Sequence, residues 1–381
     1  MIRTMTKPPD TAEKKPRTWS PRFWEGCDYF AWLRMFASNR GAVEPPFWYI
    51  STILFGTTFI NTVLKYLQSG LHGRAIDRTE FVAPPIFVLG HWRTGTTLLH
   101  ELLILDERFT SPTTLQCFEP CHFLLSEGFF RTRGKFLLPD KRPMDNMAAG
   151  WDRPQEDEFA LALLGQPSTY TDFAFPKRKP MWPGSLDLSG LNARQLRDWK
   201  RAFVRFLRTV QYRDPRRLVL KSPPHTARIP VLLELFPEAK FVAIRRDPYT
   251  LFPSTVNLWM SLAKQHGLQA PVRNAELEEK VFREFITINE RYEADRRLIP
   301  PGHLVEVKYE EFVRDLVGGV EAIYRGWNLD GFAEVESTLK AFAAGQKNYE
   351  TNKYTQSDDE RRRITERWGP WIEKQGYQLR P

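Results

Sequence analysis

The sequence predicts an α/β fold, in which a P-loop-like parallel sheet is flanked by helices on both faces. Four short apolar runs, at 86–89, 218–220, 241–244 and 304–307, alternate with segments of helical periodicity. Continuous apolar runs of this length are typical of strands that are buried on both faces. Such sheets bind ligands at the carboxyl ends of their strands, so we expect the loops after the first three runs to converge.

The composition is that of an ordinary soluble globular protein. Of the 381 residues, 42% are apolar and 27% are charged, which excludes collagen-like, low-complexity and wholly disordered chains. The cysteines, Cys27, Cys117 and Cys121, are too few for a disulfide framework or a cysteine-rich zinc module. We therefore expect free thiols in a reducing, cytoplasmic compartment and no bound metal.

The chain divides by composition into a tail, an extension and one large domain. Residues 1–17 are basic, contain prolines and lack the apolar core of a secretory signal, which predicts a flexible tail. Residues 18–80 are expected to form an N-terminal helical extension, and 81–381 the α/β domain. A segment rich in proline, phenylalanine and tryptophan, at about 106–200, interrupts the strand–helix rhythm. We interpret it as an insertion that covers the site and shapes the substrate pocket.

An uncharged segment at 45–64 has about the length of a membrane span. It opens with two prolines and contains many hydroxyl side chains, which favours a buried or membrane-skimming helix over a span. Its apolar residues can share one side of a helix, namely Ile50, Ile53, Leu54, Phe59, Ile60, Val63 and Leu64. The protein is thus expected to be cytoplasmic, with peripheral membrane contact through this segment.

A glycine-bounded loop follows the first apolar run and precedes a helical pattern. Its sequence is Gly90-His91-Trp92-Arg93-Thr94-Gly95-Thr96-Thr97, followed by Leu98. Glycines five residues apart allow the backbone N–H groups to point inward, and the N-terminus of the following helix adds a positive dipole end. The pattern therefore predicts a site for a phosphate-like anion.

The same loop differs from that of nucleoside triphosphatases, Gly-x4-Gly-Lys-Ser/Thr. Thr96 occupies the lysine position, the cation Arg93 lies inside the loop, and no apolar run ends in a magnesium-binding aspartate. Cleavage of a β–γ phosphate bond relies on that lysine and that metal. The loop is expected to hold phosphate for another purpose, although a nucleotide or small-molecule kinase with an altered P-loop is an alternative.

A second cationic motif follows the third apolar run. Arg246 lies in the loop directly after this run, and Ser254 lies eight residues later on the next helix. A guanidinium and a hydroxyl a little over two helical turns apart can both reach one phosphate group.

With both motifs present, the chain resembles the sulfotransferase superfamily over about residues 80–330. The segment 93–98 looks like the family's 5′-phosphosulfate loop, and Arg246 with Ser254 looks like its 3′-phosphate pair. Lys221-Ser222-Pro223 resembles the family's lysine-bearing segment in the form used by the tyrosylprotein-type, Golgi-like branch.

The resemblance implies transfer of a sulfuryl group from 3′-phosphoadenosine 5′-phosphosulfate (PAPS) to a hydroxyl or amine, with 3′-phosphoadenosine 5′-phosphate (PAP) as product. The acceptor would be a small molecule, a lipid or a glycan. The leaving phosphate needs cations and N–H donors, which Arg93, Lys221 and the loop backbone can supply without metal.

The general base has several candidates. His225 is the first choice, because it lies four residues after Lys221 and can titrate near neutrality. Many family members carry a histidine two residues after the lysine, and the tyrosylprotein-type branch uses a glutamate from the region after the phosphate loop. The rival candidates are Glu119, His122 and the run Glu156-Asp157-Glu158.

Two further classes can be compared with this interpretation. The excess of nine basic over acidic residues fits an anionic partner. Because the basic residues are scattered and form no recognised nucleic-acid module, we expect no nucleic-acid partner. A non-catalytic nucleotide-binding protein on the same fold would bind the donor without turnover.

Near the C-terminus, residues 347–353 could close over the nucleotide. The sequence does not indicate an oligomeric state.

Overall fold

The computed structural model describes residues 22–134, 150–345 and 356–380. It contains a five-stranded parallel sheet with strand order β2-β3-β1-β4-β5. The strands are β1 (Ile86–Leu89), β2 (Phe109–Thr110), β3 (Arg217–Lys221), β4 (Lys240–Arg245) and β5 (Leu304–Lys308). All four apolar runs are strands, and the predicted α/β class is confirmed. The predicted tail and the segment 347–353 lie outside the described residues.

Strand β2 was not predicted from the sequence. It has two residues, and it pairs with the start of β3 through Phe109 opposite Arg217 and Thr110 opposite Leu218. Two residues are too few to show a periodicity, so only the pairing with a neighbouring strand reveals this element.

Alternate strand residues face opposite sides of the sheet, as the pleat requires. On one side, Val88 and Val242 pack in an apolar cluster with helices α3 (Thr96–Leu103), α12 (Leu316–Gly326) and α13 (Phe332–Gly345). On the other side, Phe87 and Phe241 pack in a larger cluster. Its helices are α7 (Ala193–Arg213), α8 (Ile229–Leu235), α9 (Pro248–His266), α10 (Ala275–Asp295) and α14 (Asp358–Lys374). The sheet is therefore covered on both faces.

The remaining helices precede the sheet, belong to the segment 106–200 or follow β5. They are α1 (Tyr29–Ser38), α2 (Trp48–Arg78), α4 (Thr114–Phe118), α5 (Phe123–Arg133), α6 (Asp157–Leu163) and α11 (Tyr309–Phe312). The chain that follows β5 forms two successive helices, α11 and α12. The break lies at Asp315, whose carboxylate accepts the N–H of Gly318 at 2.9 Å and thereby caps α12.

Helix α2 does not place its apolar residues on one side, so that sequence prediction is wrong. Ile50 and Leu54 are buried, whereas Phe59 and Ile60 are 60% and 58% exposed. The reason is helical geometry: positions 54 and 59 are five residues apart, which places them on different sides of a helix with 3.6 residues per turn. By length and composition alone, Pro45–Arg78 could cross a membrane, but part of its surface is buried against the protein.

Candidate active site

The loop between β1 and α3 depends on its two glycines. Gly90 has a φ of +151°, and a Cβ there would lie 2.7 Å from the carbonyl oxygen of Ile244. Gly95 has a φ of +100°, and a Cβ there would lie 2.5 Å from the ring of Tyr309. Both positions therefore require glycine. Gly95 is also the N-cap of α3, so the first N–H groups of this helix face the loop.

Hydroxyl groups fix the loop to itself and to the segment that follows β3. Thr94 donates through Oγ1 to the carbonyl of His91 at 2.7 Å. The N–H of Gly90 donates to Oγ1 of Thr226 at 2.7 Å. The loop thus has the preorganised backbone of an anion site, which fits the expected phosphate-binding role.

The two cationic motifs meet at the carboxyl edge of the sheet. Arg93, which has a φ of +71°, donates through Nε to Oγ of Ser254 at 2.8 Å. Arg246 donates through Nη1 to the carbonyl of Arg93 at 3.1 Å, and its guanidinium lies 4.1 Å from the ring centroid of Tyr309. Asp247 caps α9, the helix that carries Ser254, by accepting the N–H of Tyr249 at 3.0 Å. The guanidinium of Arg93 therefore lies with the predicted 3′-phosphate pair.

Three consecutive carboxylates of the inserted segment pair with three basic side chains from residues 221–228. The two sets pair in the same order along the chain. We call these pairs the carboxylate ladder. They are Glu156–Lys221 at 2.5 Å, Asp157–His225 at 2.7 Å and Glu158–Arg228 at 2.6 Å.

Local structure explains the alignment of the ladder. The acidic residues lie at the N-terminus of α6, where the helix dipole favours negative charge. A 3-10 helix, Pro223–Ala227, follows β3. Lys221 ends β3, His225 lies on the 3-10 helix, and Arg228 comes directly after it. Two prolines at its start fix this helix, which spaces the basic side chains to meet three adjacent carboxylates.

Glu156 connects the ladder to the phosphate loop. The hydroxyl of Tyr170 donates to Oε2 of Glu156, and Nε1 of Trp92 donates to the same hydroxyl at 2.9 Å. The Lys221 side chain is 2% exposed and that of Glu156 is 10% exposed. A cation and a carboxylate thus lie together beside the anion loop, at the end of the strand next to it.

His225 is fully buried. Its Nε2 bonds to Asp157, and its ring contacts the rings of Phe87 and Phe203 at centroid distances of 5.5 Å. Burial raises the pKa of Asp157, but the charge of His225 and the hydrogen bonds from His225 and Ser222 outweigh it, so this pKa is lowered. The ring is therefore held as a buried partner of Asp157.

Glu119 and His122 lie beside α2 and apart from the ladder. His122 contacts Oδ1 of Asn61 and Oγ of Ser126, each at 3.0 Å, and burial lowers its pKa to about 4. Burial, together with the charge of Glu25, raises the pKa of Glu119 to about 8. Of the candidate bases, Glu156, Asp157, Glu158 and His225 are together, whereas Glu119 and His122 belong to a separate buried cluster.

Sequence analysis missed several members of the site. Tyr170 and Arg228 gave no local signal, because their partners lie 14 and 70 residues away along the chain. Trp92 was noted only as part of the phosphate loop.

Among the described residues, no group of His, Cys, Asp or Glu side chains is arranged to hold a metal ion.

Two cavities lie near the site. One of about 230 Å³ reaches the phosphate loop from the side of α10 and is lined by Gly90, Thr94 and Arg246 among others. The other, of about 390 Å³, lies between residues 169–189 and helices α9 and α10. Phe173, Trp182 and Trp259 give the larger cavity an aromatic part to its lining, and charged side chains line the rest together with small residues.

Comparisons with known proteins agree on one family. The model of the Sulfotransferase family matches residues 84–334. The omega-hydroxy-beta-dihydromenaquinone-9 sulfotransferases Stf3 of Mycobacterium bovis and Mycobacterium tuberculosis are each 39% identical over 361 residues. Each alignment covers 95% of this chain and 92% of the relative.

Solved structures show the same fold. Sulfotransferase STF9 from Mycobacterium avium has a TM-score of 0.68 at 21% identity, covering 93% of each chain. Sulfotransferase STF1 from Mycobacterium tuberculosis H37Rv has a TM-score of 0.55 at 19% identity, covering 83% of this chain and 92% of that one. These similarities support the sulfotransferase interpretation over the kinase and non-catalytic alternatives. The chain belongs to the sulfotransferase family, as its motifs predict, and it is a PAPS-dependent sulfotransferase.

Proposed function

We propose that this enzyme transfers the sulfuryl group of PAPS to the hydroxyl of an apolar, lipid-like acceptor and releases PAP. The observation that carries the proposal is the Glu156–Lys221 pair beside the phosphate loop. The Stf3 relatives are named for an acceptor of this kind, omega-hydroxy-beta-dihydromenaquinone-9. The aromatic cavity against the inserted segment supports an apolar acceptor here as well.

The donor would be held at its two anionic ends. Arg246 and Ser254, with the guanidinium of Arg93 beside them, are suited to the 3′-phosphate. The N–H groups at the start of α3 and the ammonium of Lys221 are suited to the 5′-phosphate, on which negative charge develops as the sulfuryl group leaves. Arg93 lies between these groups and would contribute to both ends. No metal is needed in this scheme.

We propose Glu156 as the general base, in place of the sequence-based first choice, His225. The acceptor oxygen forms a bond to sulfur while the bond from sulfur to the PAP phosphate oxygen breaks, and the acceptor proton passes to Glu156. Glu156 is more exposed than His225, whose side chain is fully withdrawn from solvent. His225 would then act as a positioning residue that holds Asp157, and through it the start of α6.

Two conservative variants separate these assignments. Glu156→Gln should retain PAP affinity and lose at least about 100-fold in single-turnover rate, because a general base typically contributes 10²–10⁴-fold. His225→Asn should keep most of the rate at neutral pH. If His225→Asn loses the rate and Glu156→Gln does not, the base is His225.

The acceptor class is tested with a series of primary alcohols. Isoprenoid alcohols of increasing length and a matched set of sugars are incubated with radiolabelled PAPS. We expect turnover with the alcohols, with KM falling as the chain lengthens, because each added apolar carbon can be buried in the aromatic cavity. Turnover with the sugars alone would contradict a lipid-like acceptor.

We propose the cytoplasmic face of a membrane as the place of action. Cys27, Cys117 and Cys121 are buried free thiols, in keeping with a reducing compartment. Peripheral contact through the segment 45–64 would bring the enzyme to an acceptor that resides in the bilayer.

A further inference from the structure

We propose that helices α1 and α2 form a docking surface for an anionic bilayer, through an exposed apolar band. Its members are large apolar side chains that are 37–65% exposed: Phe30, Leu33, Trp48, Tyr49, Ile53, Phe59, Ile60, Val63, Tyr66, Leu67 and Leu71. Only the purpose of the docking, delivery of a lipid acceptor, rests on the proposed function.

The band is one continuous face. At 100° per residue, its members on α2 fall within an arc of about 140° that contains no charged residue between positions 48 and 71. Tyr29 joins the two helices, because its ring contacts Phe30 on α1 and Phe59 on α2 at centroid distances of 6.0 and 6.3 Å. An exposed apolar face of this extent marks an interaction site.

The opposite side of α2 is fixed to the protein by buried polar contacts. Asn61 donates to the carbonyl of Cys27 at 3.0 Å, and Gln68 donates to the carbonyl of Cys121 at 3.2 Å. Lys65 pairs with Asp28 at 2.5 Å. These contacts hold the helix along the surface of the fold, so the band would lie in the membrane interface rather than cross the bilayer.

Basic side chains border the band at both ends. Towards the C-terminus of α2, Arg74 and Arg78 are exposed. Helix α7 adds Arg205, which pairs with Asp77, and Arg208, which donates to the carbonyl of Asp77 at 3.4 Å. Towards the N-terminus, the exposed run 177–179 is Lys-Arg-Lys. Cations around an apolar face are complementary to anionic lipid headgroups. Trp48, Tyr49 and Tyr66 add the amphipathic rings that favour the membrane interface.

The N-terminal end of the band adjoins the rim of the larger cavity. Glu44, four residues before α2, pairs with Lys177 at 2.6 Å and accepts the N–H of Ala270 at 3.0 Å. Lys177 lies between two cavity-lining residues, and Ala270 precedes a third, Pro271. A lipid acceptor could therefore pass from the bilayer into the cavity at this corner. A second copy of the chain would bring the same basic residues to the band without counter-charges, so we favour the bilayer.

Vesicle co-sedimentation of the 381-residue chain tests the proposal. We expect binding to phosphatidylglycerol–phosphatidylcholine vesicles and at least tenfold weaker binding to phosphatidylcholine alone. The triple variant F59S/I60S/L67S should lose at least tenfold in affinity, and R74E/R78E should lose the preference for anionic vesicles. Leu298, which is 52% exposed outside the band, gives the control Leu298→Ser, which should bind like the parent.

Three other outcomes of these experiments would decide whether the band binds a bilayer. Unchanged binding of the triple variant, with its circular dichroism intact, would overturn the proposal. A dimer seen by light scattering that the triple variant abolishes, without vesicle binding by the parent, would assign the band to a second copy. Vesicle binding without sulfation of any lipid alcohol would leave the docking surface standing and reject only the proposed acceptor.

Discussion

The ammonium of Lys221 lies 2.5 Å from Oε1 of Glu156, and the two side chains are almost completely buried. Lys221 ends a central strand, whereas Glu156 precedes α6 in the inserted segment. The pair therefore attaches the insertion to the edge of the sheet where the phosphate loop lies, and it brings a cation and a carboxylate into one site.

Removing the cation of this pair should destabilise the fold. Lys221→Met leaves Glu156 buried without its ion-pair partner, and loss of one member of a buried pair costs about 3–5 kcal/mol. Urea unfolding measures the change. Lys200→Met is the matched control, since Lys200 pairs with the largely exposed Glu234, and a pair of this kind is worth about 0–1 kcal/mol. Equal losses in the two variants would contradict a special role of the buried pair.

Both arginines of the cationic cluster should contribute to PAP affinity. Arg93→Ala and Arg246→Ala should each weaken binding by about 1.5–3 kcal/mol, the usual value of a hydrogen bond to a charged group. Isothermal titration calorimetry with PAP gives the affinities. Arg194→Ala, which removes an arginine that is 86% exposed at the start of α7 and pairs with Asp198, should bind as the parent does. Unchanged affinity in both cluster variants would defeat the site assignment.

The phosphate loop should not tolerate a side chain at Gly95. Gly95→Ala combines an unfavourable φ of +100° with a Cβ only 2.5 Å from the Tyr309 ring, so we expect lower stability and weaker PAP binding. Gly128→Ala in α5 is the control, because a Cβ there meets nothing within 4 Å. There alanine should stabilise the protein by about 1 kcal/mol. In thermal unfolding, we expect the midpoint temperature to fall for Gly95→Ala and to rise for Gly128→Ala, each relative to the parent.

The buried Glu119 predicts a specific pH dependence. Its pKa of about 8 exceeds the ordinary value of 4.5, so the folded state keeps a proton that the unfolded chain releases. The resulting stabilisation is fully present below pH 4.5 and is lost as the pH rises through 8.

The neutral variant Glu119→Gln should therefore gain stability relative to the parent between pH 5 and pH 9. Denaturant unfolding at a series of pH values measures the difference. The exposed Glu373 offers a control, because Glu373→Gln makes the same charge change at the surface. The free energy of unfolding of this variant should depend on pH in the same way as that of the parent. A constant difference between Glu119→Gln and the parent would exclude the buried carboxyl as the source.

Much of the fold could be predicted because it depends on local signals. Buried parallel strands are continuous apolar runs, and the phosphate loop needs glycines at fixed positions. The side of α2 that would be buried could not be predicted in this way. Asn61 and Gln68 are buried on one side while Phe59 and Leu67 are exposed on another, which reverses the usual polarity of a surface helix. The hydrogen bonds of those two amides to carbonyls of distant segments help to explain this arrangement, because they form only in the folded chain.

By itself, the sequence determined the α/β class, the anion loop and the two cationic motifs of a sulfotransferase, since each depends on residues that are close together along the chain. The tertiary structure decided which acidic and basic side chains meet. Glu156 and Lys221 are 65 residues apart, and their pairing depends on how the insertion folds back onto the sheet. Burial withdraws the ring of His225 from solvent and raises the pKa of Glu119, and it likewise arises only when distant segments pack together.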